Sequence, residues 1–432
     1  MSAYETIEHA SLTDVGIRRS HNQDSHAVLL AGDAEQWQKR GHVFLVADGM
    51  GAHAVGELAS ELAASIIPHT YHKYAEKGAV SALEKAFVEA NASIHARGQQ
   101  NREFEGMGTT TSVLVLRADG AWIGHVGDSR VYRLRAGRIE QLSFDHSLLW
   151  EMARRQKMKP EEVQGIPANV LIRSLGPEEN IKPDIAGPYR IQAGDIFVLC
   201  SDGLSGPLTD HEIGAVAGVL PPAEACQFLV ELANLRGGPD NITVLVIRVE
   251  EGSGEGEAGA EDLGPRKSLF SSFTWPIAII LLGLLLAGAA VNLSVRGLPG
   301  EGLVFVLAIL TLLIGLVGLV FTYWKEQHAP SGPDYRPRVH RQVPCPIDRS
   351  LLEKLLKLDA VLVQQAREKQ LDADWEVYQE HHQRAEKFRT QGDLSAAFRE
   401  FCRAMLPLTE AFHRHRNKAE VFQPLWDKTR SL

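Results

Sequence analysis

The chain has 432 residues, of which 44% are hydrophobic and 23% charged, and its formal net charge is −9. That length implies two or three folding units. The acidic balance and the lack of a basic patch interleaved with aromatics argue against general nucleic-acid binding. Cys200, Cys226, Cys345 and Cys402 show no CxxC spacing, a pattern that suits a thiol-reducing cytosol and requires no disulfide. The first residues, MSAYETIEHA, carry no apolar signal-peptide core.

In chain order, short apolar runs that read as β-strands are set against aspartates. HVFLVA precedes Asp48-Gly49, AWIGHVG precedes Asp128-Ser129-Arg130, DIFVLCS precedes Asp202-Gly203, and ITVLVIRV follows Asp240-Asn241. A carboxylate at a strand end with a glycine beside it points into a crevice where backbone can approach a ligand closely. One Asp-Gly is ordinarily a turn. Four such aspartates from distant parts of one domain make a hard, all-oxygen, negative pocket, unfavourable when empty and suited to Mg²⁺ or Mn²⁺. Between the strands, residues 55–75 and 79–97 repeat apolar positions at i, i+3, i+4 and i+7, the helical period. Periodicity alone therefore gives an α+β class for residues 1–250.

After Glu250 the composition changes. Residues 251–267 form an acidic, Gly-rich linker with too little apolar content for a core. Ser268 to Val295 is 28 residues without a charge and Gly302 to Trp324 is 23, joined by the short loop Arg296–Glu301. Each exceeds the roughly 20 residues that cross a bilayer. The runs are apolar all round, with Trp275, Tyr323 and Trp324 at their ends, which favours the membrane over a buried globular helix. Residues 268–325 thus read as a transmembrane hairpin with helices at about 275–295 and 302–324. Arg266, Lys267, Lys325, Arg336, Arg338 and Arg341 flank it, against Arg296 in its loop. The positive-inside rule then places both long soluble parts at the cytoplasmic face of the cell membrane. Residues 326–346 are proline-rich and expected to be extended. Residues 347–432 are helical in pattern. There Ala385, Phe388, Gly392, Ala397, Phe401 and Ala404 resemble one tetratricopeptide repeat, although an ordinary helical hairpin gives a similar pattern. One such unit cannot bury its own faces, so it must pack on flanking helices or on a partner.

Six blocks occur in order along residues 5–250: TDVGIRRSHNQDS from Thr13, VADGMGAH from Val46, MGTT from Met107, HVGDSR from His125, CSDGL from Cys200 and GPDNIT from Gly238. They resemble the motif series of the PP2C (metal-dependent, PPM) Ser/Thr protein phosphatases, most of all the compact bacterial branch. The resemblance implies an α-β-β-α sandwich, here followed by the two-helix transmembrane hairpin and an all-α C-terminal domain. It implies that Asp48 bridges two metals, with the Gly49 carbonyl on the second. Asp202 and Asp240 would complete the first metal, and Asp128 with Asp202 would hold a third, weaker one. Arg19, five residues before Asp24, matches the family's phosphate-gripping arginine, and Asp24 matches a carboxylate that orders metal-bound water. Residues 145–185 match a mobile flap. Its Arg154-Arg155-Gln156-Lys157 run could recruit phosphopeptides or be a solvated helix face.

The implied reaction is Mn²⁺- or Mg²⁺-dependent hydrolysis of phosphoserine and phosphothreonine proteins. A water shared by two divalent cations becomes hydroxide near neutral pH and attacks phosphorus in line, while the metals and Arg19 neutralise the phosphoryl oxygens. No cysteine sits in a C-x5-R loop, which argues against cysteine-based chemistry. His53 is the nearest candidate to protonate the leaving oxygen. His125 and His146 flank the Asp128 block, and all three also read as ordinary polar or buried histidines. Two positions depart from the family pattern: Gln23 replaces a glutamate, which would weaken the second metal, and Ala52 stands where a second glycine is usual. The reading is a membrane-tethered, cytoplasm-facing phosphatase opposing a membrane Ser/Thr kinase, its C-terminal domain docking a substrate, kinase or scaffold protein. The alternatives are a catalytically weak phosphopeptide-binding scaffold and a phosphatase dedicated to one stress-response regulator.

Overall fold

Runs such as Val43–Ala47, Val113–Leu116 and Val244–Ile247 offer no polar face, so each strand must be covered on both sides. The computed structural model describes residues 7–51, 54–104, 106–167, 169–250, 269–296, 299–328 and 335–421. It contains two antiparallel sheets packed face to face. The first runs β1 (Ile7–Asp14), β11 (Ile242–Val249), β10 (Ile196–Cys200), β7 (Arg130–Arg135), β8 (Arg138–Gln141), β12 (Arg341–Pro344). The second runs β2 (Asp24–Leu29), β3 (His42–Met50), β5 (Thr111–Arg117), β6 (Gly120–Val126), β9 (Asp184–Tyr189), with the short β4 (Gly108–Thr109) also on β3.

The two-residue period of a strand sorts these side chains into layers. Phe44, Val46, Leu114, Leu116, Phe197, Leu199, Leu245 and Ile247 fill the space between the sheets. Val43, Leu45, Ala47, Val113 and Val115 pack outward with the buried residues of α2 (Ala54–Tyr74) and α3 (Ala79–Gly98). Val198, Cys200, Val244 and Val246 do the same for α6 (Asp210–Val219) and α7 (Pro222–Leu235). Fully burying each large aliphatic or aromatic side chain contributes about 1.5–3 kcal/mol. The result is the helix–sheet–sheet–helix order that the resemblance implies.

The connections hold shorter helices: α1 (Ala34–Lys39), α4 (Leu148–Gln156) and α5 (Asp202–Ser205). α4 and a 3₁₀ turn at Pro160–Glu162 lie in the 145–185 segment, which showed no regular element in the sequence. α4 is nine residues long and buries only Trp150 and Ala153, too little apolar face for a clear period.

The C-terminal part is three helices, α10 (Arg349–Glu368), α11 (Trp375–Gln391) and α12 (Leu394–Val421). Asp348 and Asp374 cap the first two by accepting from the backbone N–H of Leu351 and Val377. Gly392, at φ +83°, ends α11 in the left-handed conformation that a side chain would resist. Ala385, Ala397, Phe401 and Ala404 are fully buried, as the hairpin pattern requires. These helices share one continuous core with α6 and α7, through Phe228, Leu229 and Leu232 on one side and Leu355, Phe398 and Met405 on the other. Arg403 adds an ion pair to Glu224, and Arg399 Nε donates to the Val219 carbonyl at 3.0 Å. The hairpin therefore covers its apolar face with the chain's own helices. Of the proline-rich segment, residues 326–328 belong to the last helix of the apolar hairpin, residues 335–340 form no helix or strand, and residues 341–344 add the edge strand β12 to the first sheet.

A separate unit holds α8 (Leu269–Val295) and α9 (Glu301–His328). Their spans Trp275–Val295 and Gly302–Thr322 are 21 residues each, with mean hydropathy 2.4 and 3.1. Both helices are apolar enough to cross a membrane. Gly283 and Gly315 let them close, since an added Cβ would meet Leu312 and Ile280 of the facing helix. The acidic linker 251–267, Ala52 and His53 lie outside the described residues.

Candidate active site

Asp48, in β3, stands directly opposite Asp24, the first residue of β2. Like charges in that register repel, so the surroundings must hold them. The Thr110 backbone N–H donates to the Asp48 carbonyl at 2.8 Å, and the Asp48 N–H donates to Thr110 Oγ1 at 3.2 Å. Ser201 Oγ donates to Asp24 Oδ2 at 2.7 Å and itself accepts from the Thr243 N–H at 2.9 Å. Gly49 has no room for a Cβ, which would collide with the carbonyl oxygens of Gly56 and Gln23. Only glycine lets the β3 backbone pass this closely to the start of α2.

The other sheet brings its aspartates to the same place. Asp202 opens α5 immediately after β10, and Asp240 lies in the turn before β11. Asp128 follows β6 after Gly127, whose φ of +112° and contact with Thr110 leave no space for a side chain. Asp48 and Asp202 are near enough for each to perturb the other. Burial, with the charges of Asp24, Asp202, Asp128 and Asp240 around it, holds Asp48 well above the usual carboxylate range. Burial and the charges of Asp202 and Asp240 push Asp24 up to about 7, against the hydrogen bond from Ser201. Burial, Asp202 and Asp145 push Asp128 up to about 8, against Arg130. Burial and Asp240 also raise Asp202.

Arg19 closes the group. Its Nη2 lies 2.7 Å from Asp240 Oδ2, with the guanidinium about half exposed. Its loop is fixed by Asn241, whose side chain accepts from the Gln23 N–H at 2.8 Å and donates to the carbonyls of Val15 and His21 at 2.9 Å. The side chain of Gln23 reaches Gly51, its Nε2 3.4 Å from the carbonyl, so the residue that departs from the family pattern borders the metal-loop glycines.

The structure thus brings together Arg19, Asp24, Asp48, Gly49, Asp128, Asp202 and Asp240, whereas His53 lies outside the described residues. His125 and His146 are committed elsewhere. His125 Nδ1 pairs with Ser112 Oγ and its Nε2 with the Phe144 carbonyl, both at 2.9 Å. Burial and the neighbouring His146 hold it well below its usual pKa. His146 Nδ1 accepts from the Gly127 N–H at 3.0 Å, which leaves Nε2–H to donate to Asp184 at 3.0 Å. That ring pins the turn carrying Asp128. Ser201, Thr110 and Asn241 were not singled out as parts of the site from sequence, and His146 was weighed there beside the proton donor rather than as a support of the Asp128 turn. Their signal was adjacency to the aspartate blocks, in Ser201-Asp202 and Asp240-Asn241.

The donor set fits divalent metal. It is all oxygen, and Asp24 Oδ1 and Asp202 Oδ1 are buried without a hydrogen-bond partner. Among the described residues no three His, Cys, Asp or Glu side chains already gather around one point. A cation among these groups would reverse the repulsion that now raises their pKa values.

Residues 17–234 match the family model for protein phosphatase 2C, and the chain belongs to that family. It is an enzyme, a PP2C-type serine/threonine protein phosphatase, and the family is metal-dependent. The chain is 35% identical over 257 residues to protein phosphatase PhpP of Streptococcus pneumoniae, a match spanning 58% of this chain and all of that protein. It is 32% identical over 243 residues to the serine/threonine phosphatase PstP of Mycobacterium tuberculosis, covering 56% of this chain and 45% of PstP. Among solved structures, M. tuberculosis PstP/Ppp superposes with TM-score 0.50 at 33% identity, over 56% of this chain and 99% of that one. The Streptococcus agalactiae serine/threonine phosphatase also gives TM-score 0.50 at 33% identity, over 56% of this chain and all of that one.

Proposed function

We propose that this phosphatase hydrolyses phosphoserine and phosphothreonine on proteins at the cytoplasmic face of the cell membrane, with the Asp48 group as its metal centre. The observation that carries this is the convergence of buried carboxylates, two of whose oxygens lack partners, beside a half-exposed arginine. Asp48, Asp202, Asp240 and the Gly49 carbonyl would hold two Mn²⁺ or Mg²⁺ ions, and Asp128 with Asp202 a third, weaker one. Bound there, the metals supply Lewis acidity that makes water a nucleophile near neutral pH and offsets phosphoryl charge. Arg19 has one exposed ion pair to surrender, so its planar fork can turn to the phosphoryl oxygens. Asp24, fixed through Oδ2 by Ser201, keeps Oδ1 to orient the attacking water. His53 is the candidate proton donor to the leaving oxygen.

Membrane attachment is supported by the two long apolar spans, of which only 11% and 17% is buried. Leu281, Leu285, Leu303 and Val317 are 60–70% exposed, which lipid explains and water does not. The flanking cations support an orientation with the soluble parts on the cytoplasmic side. There the enzyme would oppose a membrane Ser/Thr kinase, with tethering raising its effective concentration toward membrane-bound substrates. Any protein partner of the C-terminal domain would meet the faces of α10 to α12 that do not pack on α6 and α7.

The test is turnover by the full-length protein in detergent micelles, titrated with Mn²⁺ and Mg²⁺, on a phosphothreonine peptide and p-nitrophenyl phosphate. Turnover should rise with metal and vanish in Asp48→Asn and Asp202→Asn. Turnover of one folded phosphoprotein but neither small substrate would support the dedicated-phosphatase alternative. No turnover of any substrate would sink the proposal.

A further inference from the structure

Beside the Asp128 turn lies a second buried ionic group. Arg130 donates from Nε and Nη2 to Asp145 at 2.9 and 2.7 Å, and from Nη1 to the Tyr132 phenol at 3.0 Å. That phenol donates to Asp210 Oδ1 at 2.9 Å, and Arg130 Nη1 stands 3.7 Å from the same oxygen. Asp145 and Asp210 are each 3% exposed. One buried arginine cannot neutralise two buried carboxylates, and an uncompensated charge in such a site is strongly unfavourable.

The second cation comes from beyond the membrane hairpin in sequence. Arg341, the first residue of β12, places Nε 2.7 Å from Asp210 Oδ2 and Nη1 2.8 Å from Glu161 in the 160–162 turn. The strand that carries it is built into the fold. It pairs with β8 from Arg341–Gln141 to Pro344–Arg138. The His340 N–H donates to the Gln141 carbonyl at 2.9 Å, and the Cys345 N–H to the Gly137 carbonyl at 2.8 Å. The Tyr189 phenol donates to the Arg338 carbonyl at 2.8 Å.

We propose that Arg341 is a positioning residue for the phosphatase site: by neutralising Asp210 it leaves Arg130 committed to Asp145, which fixes the turn carrying Asp128. Without Arg341, the buried charge of Asp210 competes for Arg130 and draws the guanidinium off Asp145. Arg130 is two residues from Asp128, and its charge offsets the repulsion felt by Asp128 and Asp202. The inference rests on Asp128 and Asp202 belonging to the metal centre. It makes the strand that follows the hairpin in sequence part of the catalytic architecture. The contact with Glu161 ties the 145–185 segment to the same arginine.

The test uses the full-length protein in micelles, with Mn²⁺ binding measured by calorimetry alongside KM, kcat and the Mn²⁺ concentration for half-maximal turnover. Arg341→Ala should weaken Mn²⁺ binding about tenfold, the lower end of the range for residues that support metal ligands indirectly. Arg341→Lys should recover part of that loss. Asp210→Asn added to Arg341→Ala should recover most of it, because no stranded charge remains to pull on Arg130. Arg403→Ala, which cuts the remote link to Glu224, should lower the melting temperature and leave Mn²⁺ binding alone. If Arg341→Ala does not fold, the double variant still decides. Wild-type Mn²⁺ binding in Arg341→Ala would overturn the inference, as would a folded double variant that binds Mn²⁺ about tenfold more weakly than wild type. A wild type lacking Mn²⁺-dependent turnover would overturn the active-site reading as well, so the two failures are distinguishable.

Discussion

Two groups of carboxylates adjoin the turn that carries Asp128 and Arg130. Asp145 and Asp210 are answered by Arg130 and Arg341, two charges against two, with Tyr132 and Gln141 completing their hydrogen bonds. Asp24, Asp48, Asp128 and Asp202 face one another; Arg130 offsets only part of the charge on Asp128 and Asp202 while it is held by Asp145, and Arg19 is half exposed and paired with Asp240. The sign is the same in both, and Asp24 and Asp128 are buried as Asp145 and Asp210 are, while Asp48 and Asp202 keep some exposure; the difference that matters is how fully the chain supplies its own counter-charge. Where it does, the group is architecture. Where it does not, the deficit matches cations taken from solution.

The largest effect that would break this comparison is on activity. Asp48→Asn or Asp202→Asn should lower kcat/KM by ~10³-fold or more, about 4 kcal/mol of transition-state stabilisation, while the metal-free protein stays folded. In the balanced group the same kind of change should act on the fold. Arg130→Met should destabilise by about 3–5 kcal/mol in urea unfolding, because Asp145 is left buried and unpaired. Equal loss of stability in Asp48→Asn and Arg130→Met would erase the distinction. Arg19→Ala sits between the two groups in character. It should cost about 1.5–3 kcal/mol in kcat/KM, the value of a charge-assisted hydrogen bond, and leave the melting temperature unchanged, since an exposed ion pair contributes ~0–1 kcal/mol.

The smallest effect belongs to an ion pair at the surface. Burial pushes Glu212 up, but hydrogen bonds from Arg236 and the Thr209 N-cap outweigh it and hold the carboxyl down to about 2. A depressed carboxyl stabilises the fold above its unfolded value near 4.5, and that stabilisation is lost as pH falls toward 2. Given its partial exposure, the contribution is on the order of 1 kcal/mol. Glu212→Gln should flatten the acid limb of a stability–pH curve between these values and leave stability near pH 7 lower by that amount.

The legible half of the site was the unbalanced one. Asp48, Asp128, Asp202 and Asp240 each adjoin a strand-like run, so one-dimensional pattern places them at strand ends, and the resemblance of the ordered blocks implies the roles proposed for them. Their supports were less visible, because Ser201 reaches Asp24 across 177 positions. The balanced group was not legible at all. Tyr132 and Asp210 are 78 residues apart, and Arg341 lies in a proline-rich stretch whose composition suggests a linker. Its strand is an edge strand of four residues ending at Pro344, the position where a sheet tolerates proline and where alternation is too short to register. The helices at 55–75 and 79–97 were readable because each buries a continuous stripe. α4 was not, because it buries two residues.

The central claim is that the Asp48 group is a charge deficit reserved for divalent metal. It is tested most directly by thermal unfolding of the full-length protein against Mn²⁺ concentration, wild type beside Asp48→Asn. The account predicts that wild type gains stability with Mn²⁺ as a ligand-bound native state must. It predicts that Asp48→Asn melts at or above wild type without metal and gains little from it. Equal Mn²⁺ stabilisation of both proteins, or a variant that melts well below metal-free wild type, would contradict the account.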